Sequence, residues 1–416
     1  MIKYSPVFAA QIFFFLSQIC SAQITADSTK NTALNLYLNC GYCYESFVKT
    51  EIKWVNYVRD RHDADVDLLI TNQITGAGGT SYDLFFIGQR IFSGVNDTLH
   101  YIADATNTED KTRNGLVQVI KLGLMRYVAR TSYASQIQIG TQAVLQDETT
   151  LNAATDRWKS WVFNLRGHVS VNGEKSSLSQ NYSGSISANK TTEKIKINFG
   201  LYQNYGSSRF IFDEDTIKSV TQSNSSSGKI IKSINNHWSY GVFADAGSAT
   251  YYNKKFYATA SPALEYNLFP YSQSQRKQFT IAYFIAAQHY EYSDTTIYDK
   301  INEDLFQNRL NVSLTATQPW GSLNFSLSGT HYLHDFQKNN LSLFASGDFR
   351  IFKGFSFNLF MSYELIHDQL SLPKGGATQA ELLLRRKELE TNYRYSVYAG
   401  ISYRFGSIYN NVVNTR

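Results

Sequence analysis

Residues 393–405 read YRYSVYAGISYRF, and their side chains alternate between apolar and polar. The odd-numbered positions hold Tyr393, Tyr395, Val397, Ala399, Ile401, Tyr403 and Phe405, and the even-numbered positions hold Arg394, Ser396, Tyr398, Gly400, Ser402 and Arg404. Successive side chains of a β-strand point to opposite faces, so this pattern predicts a strand with one apolar and one polar face. Such strands are typical of membrane-spanning β-barrels, in which the apolar face contacts lipid.

The same alternation recurs throughout the chain from Trp158 onward. Eleven further segments show it, at 161–171, 182–188, 195–201, within 208–234, and at 240–249, 256–268, 279–289, 310–316, 323–329, 341–351 and 355–364. We expect strands of about 9–13 residues, which is the span of a tilted membrane strand. We therefore predict an all-β transmembrane antiparallel barrel of about twelve strands over residues 158–406.

The predicted connections between strands alternate between short and long. The short ones are residues 189–193, 235–236, 319–321 and 353–354, and the long ones are 205–228, 294–305 and 365–391. Short turns of outer-membrane barrels face the periplasm, so the last strand is expected to end there, followed by a periplasmic tail at 407–416. A capping box at 378–381 predicts a helix through Leu389 inside the last long loop.

A water-soluble β-sandwich or a secreted barrel explains the alternation equally well. The aromatic strand ends, the rhythm of short and long connections and the scarcity of proline (five residues) favour the membrane barrel.

Composition excludes several classes of protein. The 416 residues carry a net charge of +5, with 15% aromatic and 18% charged residues. A hydrophobic content of 43% excludes a wholly disordered chain. The mean hydropathy of −0.31 argues against a bundle of membrane helices. No block of Lys and Arg points to nucleic acid, so we expect no nucleic-acid partner.

The first 22 residues are predicted to be a secretory signal peptide. Lys3 precedes an apolar run, and Cys20-Ser21-Ala22 supplies small residues before a cleavage site after Ala22. Lipidation at Cys20 is the alternative, but Ile19 stands where a lipoprotein signal has a small residue. The mature chain would be secreted, periplasmic or held in an outer membrane.

Residues 23–150 are predicted to form a small periplasmic α+β domain and a linker. Strands are expected at 33–40, 66–74, 82–88 and 97–103, with helices at 44–59 and from a capping box at 106–109 to about residue 130. This β-α-β-β-β-α order suits one sheet with two helices on a single face.

Three motifs in this domain could carry chemistry. Cys40 and Cys43 lie between a strand and a helix, where a redox pair can be activated, but the rest of the thioredoxin pattern is missing. A structural disulfide or an inert pair is therefore the preferred interpretation, with redox or metal chemistry as the alternative. The acidic run from Asp60 to Asp67 lacks the glycine and distal glutamate of a calcium loop and is expected to be a solvated link. Gly76–Gly79 is expected to be a hairpin tip.

The predicted polar faces of the barrel strands carry both signs of charge, with basic residues in excess. The candidate lumen charges are Arg166, Lys194, Lys196, Asp245, Glu265, Arg309, Asp348, Arg350, Glu364, Arg394 and Arg404. Buried charges survive by pairing or by staying hydrated. These side chains should therefore either close a narrow lumen by ion pairs or line a small polar pore.

The chain resembles an uncharacterised family of Gram-negative outer-membrane β-barrel proteins with an N-terminal periplasmic α/β domain. The resemblance rests on TEIKWVNYVRDRHDADVDLLIT (50–71), EYNLFPYSQSQRKQ (265–278), QPWGSLNFSLSGTHYLHDF (318–336), DQLSLPKGGAT (368–378) and SYRFGSIYNNVVNTR (402–416). The N-terminal unit is also similar, more loosely, to the N-terminal domain of TolB-like periplasmic proteins. The resemblance implies a location and an architecture, but no reaction and no substrate.

We expect a non-enzymatic protein without cofactor or metal. His367-Asp368, His331 with His334, and His237 are the nearest approaches to catalytic or metal-binding groups, but neighbours along a strand point to opposite faces. The expected function is a narrow pore for small polar or anionic solutes, and the alternative is an envelope anchor. The expected partners are outer-membrane lipid, the barrel-assembly machinery and a periplasmic protein.

Overall fold

The computed structural model describes residues 33–41, 43–76, 78–136, 158–192, 194–212, 215–375, 388–409 and 411. The predicted signal peptide with Cys20, most of the predicted helix at 378–389 and most of the tail at 407–416 lie outside the described residues.

The N-terminal region forms a small α/β domain. Its elements are β1 (Asn35–Cys40), α1 (Glu45–Glu51), β2 (Asn56–Tyr57), β3 (Val66–Ile74), β4 (Thr80–Gly88), β5 (Asn96–Ala103) and α2 (Glu109–Val128). The sheet order is β2-β1-β3-β4-β5. β1 is parallel to β2 and β3, whereas β3, β4 and β5 form an antiparallel meander.

The core of this domain lies between the sheet and α2. Leu116, Ile120 and Leu124 recur at helical spacing and are fully buried, as the sequence predicts. Burying each such side chain contributes about 1.5–3 kcal/mol. Gly123 lets the helix approach the sheet closely, because a Cβ there would lie 2.1 Å from the Phe86 ring.

The first helix is shorter than predicted. α1 ends at Glu51, and the next residues turn into the two-residue strand β2, which pairs with β1. Ile52 and Val55 are still buried, so their spacing reflected burial rather than a continuous helix. The cap of α2 also differs: the Thr108 hydroxyl accepts from the Lys111 N–H, so the helix begins two residues later than the predicted capping box.

The described residues from Trp161 to Tyr403 form a twelve-stranded antiparallel sheet, as predicted. Its strands are β6 (Trp161–Gly173), β7 (Ser177–Thr191), β8 (Ile195–Phe212), β9 (Asp215–Ser233), β10 (Trp238–Ala249), β11 (Lys254–Asn267), β12 (Lys277–Tyr292), β13 (Asn302–Gln318), β14 (Gly321–Tyr332), β15 (Asn339–Phe352), β16 (Phe355–Ile366) and β17 (Tyr393–Tyr403). Each strand pairs with its neighbour in sequence, so β6 and β17 stand at the two ends of the strand order.

The prediction of a long loop at residues 205–228 is wrong. Except for 213–214, which lie outside the described residues, they belong to β8 and β9, which are 18 and 19 residues long and pair from Ile195↔Lys232 to Phe212↔Asp215. Their outer halves carry Ser, Thr and Asn on both faces, so the alternation of polarity disappears although the strands continue.

The connections define two ends of the sheet. The turn end holds the connections at 192–194, 234–237, 268–276, 319–320 and 353–354, together with the start of β6 and the end of β17. The loop end holds the connections at 174–176, 213–214, 250–253, 293–301, 333–338 and 367–392. The longest connection, after β16, lies at the loop end as predicted.

Candidate functional site

The register of the twelve strands separates the side chains into two faces. One row runs across the seven strands β11 to β17 through Glu265, Ala282, Asn311, Ser328, Ser342, Glu364 and Arg394. The adjacent row on the opposite face contains Leu264, Tyr283, Leu310, Gly329, Leu341, Leu365 and Tyr393. We call these the polar face and the apolar face.

The polar face is the enclosed one. Ser239, Ser261 and Thr280 lie on it and are buried. On the apolar face, Leu165 is 80% exposed and Ile401 is 74% exposed. A water-soluble β-protein buries its apolar face instead, because apolar surface is driven out of water. This sheet therefore presents a large apolar surface outward and holds its polar side chains inside.

Nine of the eleven candidate lumen charges lie within strands, and the register puts all nine on the polar face. They are Arg166, Lys196, Asp245, Glu265, Arg309, Asp348, Arg350, Glu364 and Arg394. Lys194 lies in the turn before β8, and Arg404 follows the last residue of β17.

None of the eleven forms an ion pair with another described residue. Glu364 and Arg394 are direct partners in register, yet Glu364 accepts its hydrogen bond from the Asn340 amide, at 3.0 Å. The Arg309 guanidinium lies 4.1 Å from the centre of the Phe284 ring. Glu364 and Arg309 are therefore held by neutral polar and aromatic neighbours rather than locked in ion pairs.

The polar face of β7, β8 and β9 is lined by small uncharged side chains. The register aligns Ser187 with Gly200 and Ser227, and Ser183 with Asn204 and Ser223. Hydroxyl and amide groups offer hydrogen bonds to water or a polar solute and fill little space. The sequence prediction missed much of this wall, because it assigned residues 205–228 to a loop.

A cluster of tyrosines narrows the interior at the loop end. Tyr290, Tyr292 and Tyr332 are buried on the polar face together with Leu305. Leu370, from the connection between β16 and β17, packs against them. The described start of this connection, around Leu370, therefore folds inward over the tyrosines, which the sequence alone did not predict.

Asn253 holds the inward connection in place. Its Nδ2 donates to the backbone carbonyl of Ser371 at 2.9 Å and to that of Asp294 at 2.8 Å. Its Oδ1 accepts from the Asp294 N–H at 2.7 Å. Asn253 has a φ of 55°, a conformation that asparagine tolerates better than most residues. One side chain thus joins three connections of the loop end.

The α/β domain covers part of the turn end. The helices pack on one face of its sheet, and the other face contacts the strand turns. The Arg276 guanidinium lies 4.9 Å from the centre of the Phe85 ring, and Thr71 Oγ1 donates to Gln275 Oε1 at 3.3 Å. The Arg350 guanidinium reaches the Tyr37 ring at 5.4 Å. A polar-face residue of the barrel region therefore contacts the N-terminal domain directly.

The acidic run after β2 is not the solvated link that the sequence predicts. Asp60 Oδ2 accepts from the Gly354 N–H at 2.6 Å, and Asp63 pairs with Lys353 at 2.6 Å. Asp65 Oδ2 accepts from the Asn35 N–H at 3.0 Å. Asp60 and Asp63 therefore fix the domain to the turn between β15 and β16.

Asp67 is fully buried, and neither of its carboxylate oxygens accepts a hydrogen bond of normal geometry from a described residue. Burial raises the pKa of Asp67 to about 6, although the nearby positive charges of Arg350 and Arg61 act to lower it. Since Asp67 lies beside the docked surface, the charge of this carboxyl affects how the domain contacts the barrel region.

The remaining sequence candidates have structural surroundings. Cys40 and Cys43 are joined in a disulfide, with Cα atoms 5.9 Å apart. His237 Nδ1 lies 2.8 Å from the Asn267 carbonyl oxygen, and His367 Nδ1 lies 3.2 Å from Asn339 Oδ1. His331 stacks on Phe336. Among the described residues, no group of three or more His, Cys, Asp or Glu side chains could hold a metal ion.

Within the part of the chain that the structure describes, no helix is long and apolar enough to cross a membrane. No protein-family model matches the chain, and no curated protein matches it.

Proposed function

We propose that this protein is an integral outer-membrane β-barrel that forms a narrow passage for small polar or anionic solutes. The observation that carries the proposal is the inverted sheet, with an enclosed polar face and an exposed apolar face. An exposed apolar face is favourable when it contacts the acyl chains of a membrane instead of water. A signal peptide at 1–22 would deliver the chain, and the barrel-assembly machinery would insert it.

The proposal requires that β6 and β17 pair with each other. Lipid offers no hydrogen bonds to unpaired backbone groups, so an open sheet edge is not tolerated within the hydrocarbon region. Both edge strands carry exposed apolar side chains on one face, such as Val169 and Val397. We therefore infer that the twelve strands close into a barrel in the membrane.

The interior supports passage of polar solutes. Small hydroxyl and amide side chains line β7 to β9, and the basic candidate charges outnumber the acidic ones. Arginine stays protonated at any physiological pH, and basic side chains favour anions in a pore. The α/β domain at the turn end and the Leu370 connection at the loop end narrow this route, so we propose a gated passage.

The test is conductance in planar bilayers. Full-length protein should give single-channel steps with anion preference, and Arg309→Glu should weaken or reverse that preference. Arg209→Glu, near the loop end of β8, is the charge-matched control. Heat-modifiable gel migration in an outer-membrane fraction verifies the fold. A folded barrel that stays silent, with and without residues 23–150, would rule out the passage.

An envelope anchor is the second candidate. The docked α/β domain favours it, because several polar contacts hold that domain at the turn end. Its α2 helix presents exposed side chains, including Leu122, through which a periplasmic protein could be bound. Crosslinking from residue 122 would capture that partner. An anchor loses function when residues 23–150 are deleted, whereas a pore keeps or increases its conductance.

A further inference from the structure

A cleft of about 530 Å³ opens where the α/β domain meets the turn end. One wall is residues 59–63, and the other is formed by the β15–β16 turn and residues 403–408. The Arg59 N–H donates to the Ile408 carbonyl at 3.0 Å, and Arg59 Nη2 donates to the Phe405 carbonyl at 3.3 Å. The backbone and the side chain of Arg59 thus join the two walls, and the size suits a small ligand.

The cleft carries an excess of positive charge. Five basic side chains line it, against three carboxylates: Arg59, Arg61, Arg350, Lys353 and Arg404 face Asp60, Asp63 and Asp348. Asp63 forms a salt bridge with Lys353, and Asp60 accepts hydrogen bonds from the backbone N–H groups of Gly354 and His62. None of the four arginines forms an ion pair with a described residue. Planar guanidinium groups bind phosphate through paired, charge-assisted hydrogen bonds.

Aromatic rings form the membrane-facing rim of the same cleft. Phe352 and Phe355 stack with ring centres 4.7 Å apart, and Tyr403 and Phe405 stack at 5.7 Å. Phe405 is 77% exposed. Aromatic girdles of outer-membrane barrels lie at the headgroup level, where rings meet both acyl chains and water. A phosphate held by the arginines would therefore lie beside rings that can contact acyl chains.

We propose that this cleft binds the phosphate group of an anionic phospholipid in the periplasmic leaflet, with its acyl chains against the aromatic rim. The proposal rests on the membrane placement proposed above. A bound headgroup would contact residues 59–63 and the end of β17 together, so it would stabilise the docked position of the α/β domain. The same phosphate chemistry could instead select a free anion, which the experiment separates.

The test uses full-length protein in a zwitterionic detergent with added short-chain phosphatidylglycerol, phosphatidylcholine or inorganic phosphate. Bound lipid is counted by native mass spectrometry, and docking is followed by protease resistance of residues 33–136. Phosphatidylglycerol should bind and protect, and the other two should not. Arg61→Glu should weaken this binding by roughly tenfold or more, since a charge-assisted hydrogen bond contributes about 1.5–3 kcal/mol.

Arg61→Lys should bind more weakly than the wild type but more tightly than Arg61→Glu, because it keeps the charge but loses the paired donors of the guanidinium. Arg130→Glu, in the same domain after α2, is the matched control and should bind lipid like the wild type. Equal protection by inorganic phosphate would overturn the lipid assignment, and unchanged binding in Arg61→Glu would overturn the site. Either failure leaves a heat-modifiable barrel, whereas failure of the membrane placement would yield a protein that is soluble without detergent.

Discussion

The Arg350 guanidinium lies 5.4 Å from the centre of the Tyr37 ring, although one residue belongs to β15 and the other to β1 of the α/β domain. Arg350 Nη1 also donates to the Pro319 carbonyl oxygen at 3.4 Å, which directs the side chain toward the turn end. The positive charge of Arg350, at the turn end of the polar face, thus contacts the α/β domain on the face of its sheet that the helices do not cover. This contact couples the position of the domain to the interior of the twelve-stranded sheet.

Replacing Arg350 should loosen the domain. A cation–π contact contributes about 0.5–2 kcal/mol, so Arg350→Ala should speed proteolytic release of residues 33–136 about twofold to thirtyfold. Arg350→Lys should fall between wild type and Arg350→Ala, because it keeps the charge but loses the planar group. Arg394→Ala, on the same face but far from Tyr37, is the control. Equal release from Arg350→Ala and Arg394→Ala would show that the Tyr37 contact does not hold the domain.

Asp67 should make the docked domain less stable as the pH rises. The pKa of this buried carboxyl is raised to about 6, against 3.8 for an ordinary aspartate. The folded, docked state therefore binds more protons than the opened state between these values. The contribution of Asp67 to stability is thus greatest below pH 4 and falls by about 3 kcal/mol as the pH rises through 6.

Hydrogen exchange of β1 and β3 in the full-length protein measures this effect. Protection should decrease from pH 4 to pH 7, after correction for the intrinsic exchange rate. Asp67→Asn should remove most of the dependence and increase protection at pH 7. Asp97→Asn, at a partly exposed carboxyl in the same sheet, should behave like the wild type. A pH-independent wild type would contradict the buried, unpaired state of Asp67.

Neighbouring residues of β13 provide a test of the two faces. Leu310 is 47% exposed on the apolar face, and Asn311 follows it on the polar face. An arginine that faces lipid near the bilayer midplane costs about 2–4 kcal/mol. Leu310→Arg should reduce the yield of folded, heat-modifiable protein in the outer membrane, whereas Asn311→Arg should fold normally. Equal yields from the two variants would contradict the assignment of the faces.

The alternation of side chains was enough to predict the barrel region, because a single strand already shows both faces. The pattern in 393–405 and its repeats predicted twelve strands in their observed order. The prediction failed at residues 205–228, where serine and threonine lie on both faces of the strands. Because the two faces do not differ in polarity there, the sequence shows no alternation. The α1 error has a similar origin: Val55 and Val58 are buried at helical spacing, but β2 pairs with β1 through contacts that are distant in sequence.

The candidate charges could be assigned to one face from the sequence, but their neighbours could not. The sequence predicts a solvated link at Asp60 and Asp63, because their partners Gly354 and Lys353 lie nearly three hundred residues later in the chain. Nothing in the local sequence indicates those partners. The inward position of Leu370 likewise depends on Asn253, a residue in a different connection. Docking between distant segments is decided by tertiary packing, which periodicity does not describe.

Removing the disulfide should weaken the α/β domain without abolishing function. Cys40 and Cys43 close a loop of only a few residues, for which the loss of chain entropy in the unfolded state contributes about 2 kcal/mol. A Cys40→Ser/Cys43→Ser variant should therefore show faster proteolysis of residues 33–136 but normal membrane insertion and conductance. Loss of function at a normal protein level and with a normal fold would reveal a redox role for the pair.

Asn253→Ala should open the loop end. The variant loses the hydrogen bonds to Ser371 and Asp294 that hold the inward connection over the tyrosines. Three bonds at about 0.5–1.5 kcal/mol each are enough to change the population of an inward connection strongly. Single-channel conductance or open probability should rise, and Leu370 should become accessible to a label when replaced by cysteine. Asn339 is another asparagine at the loop end, and among the described residues its side chain bonds Phe336, Gln337 and His367 but not the residues around Leu370. Asn339→Ala should therefore leave the conductance unchanged. Unchanged conductance in Asn253→Ala, with Leu370 newly accessible, would mean that the inward connection does not gate the passage.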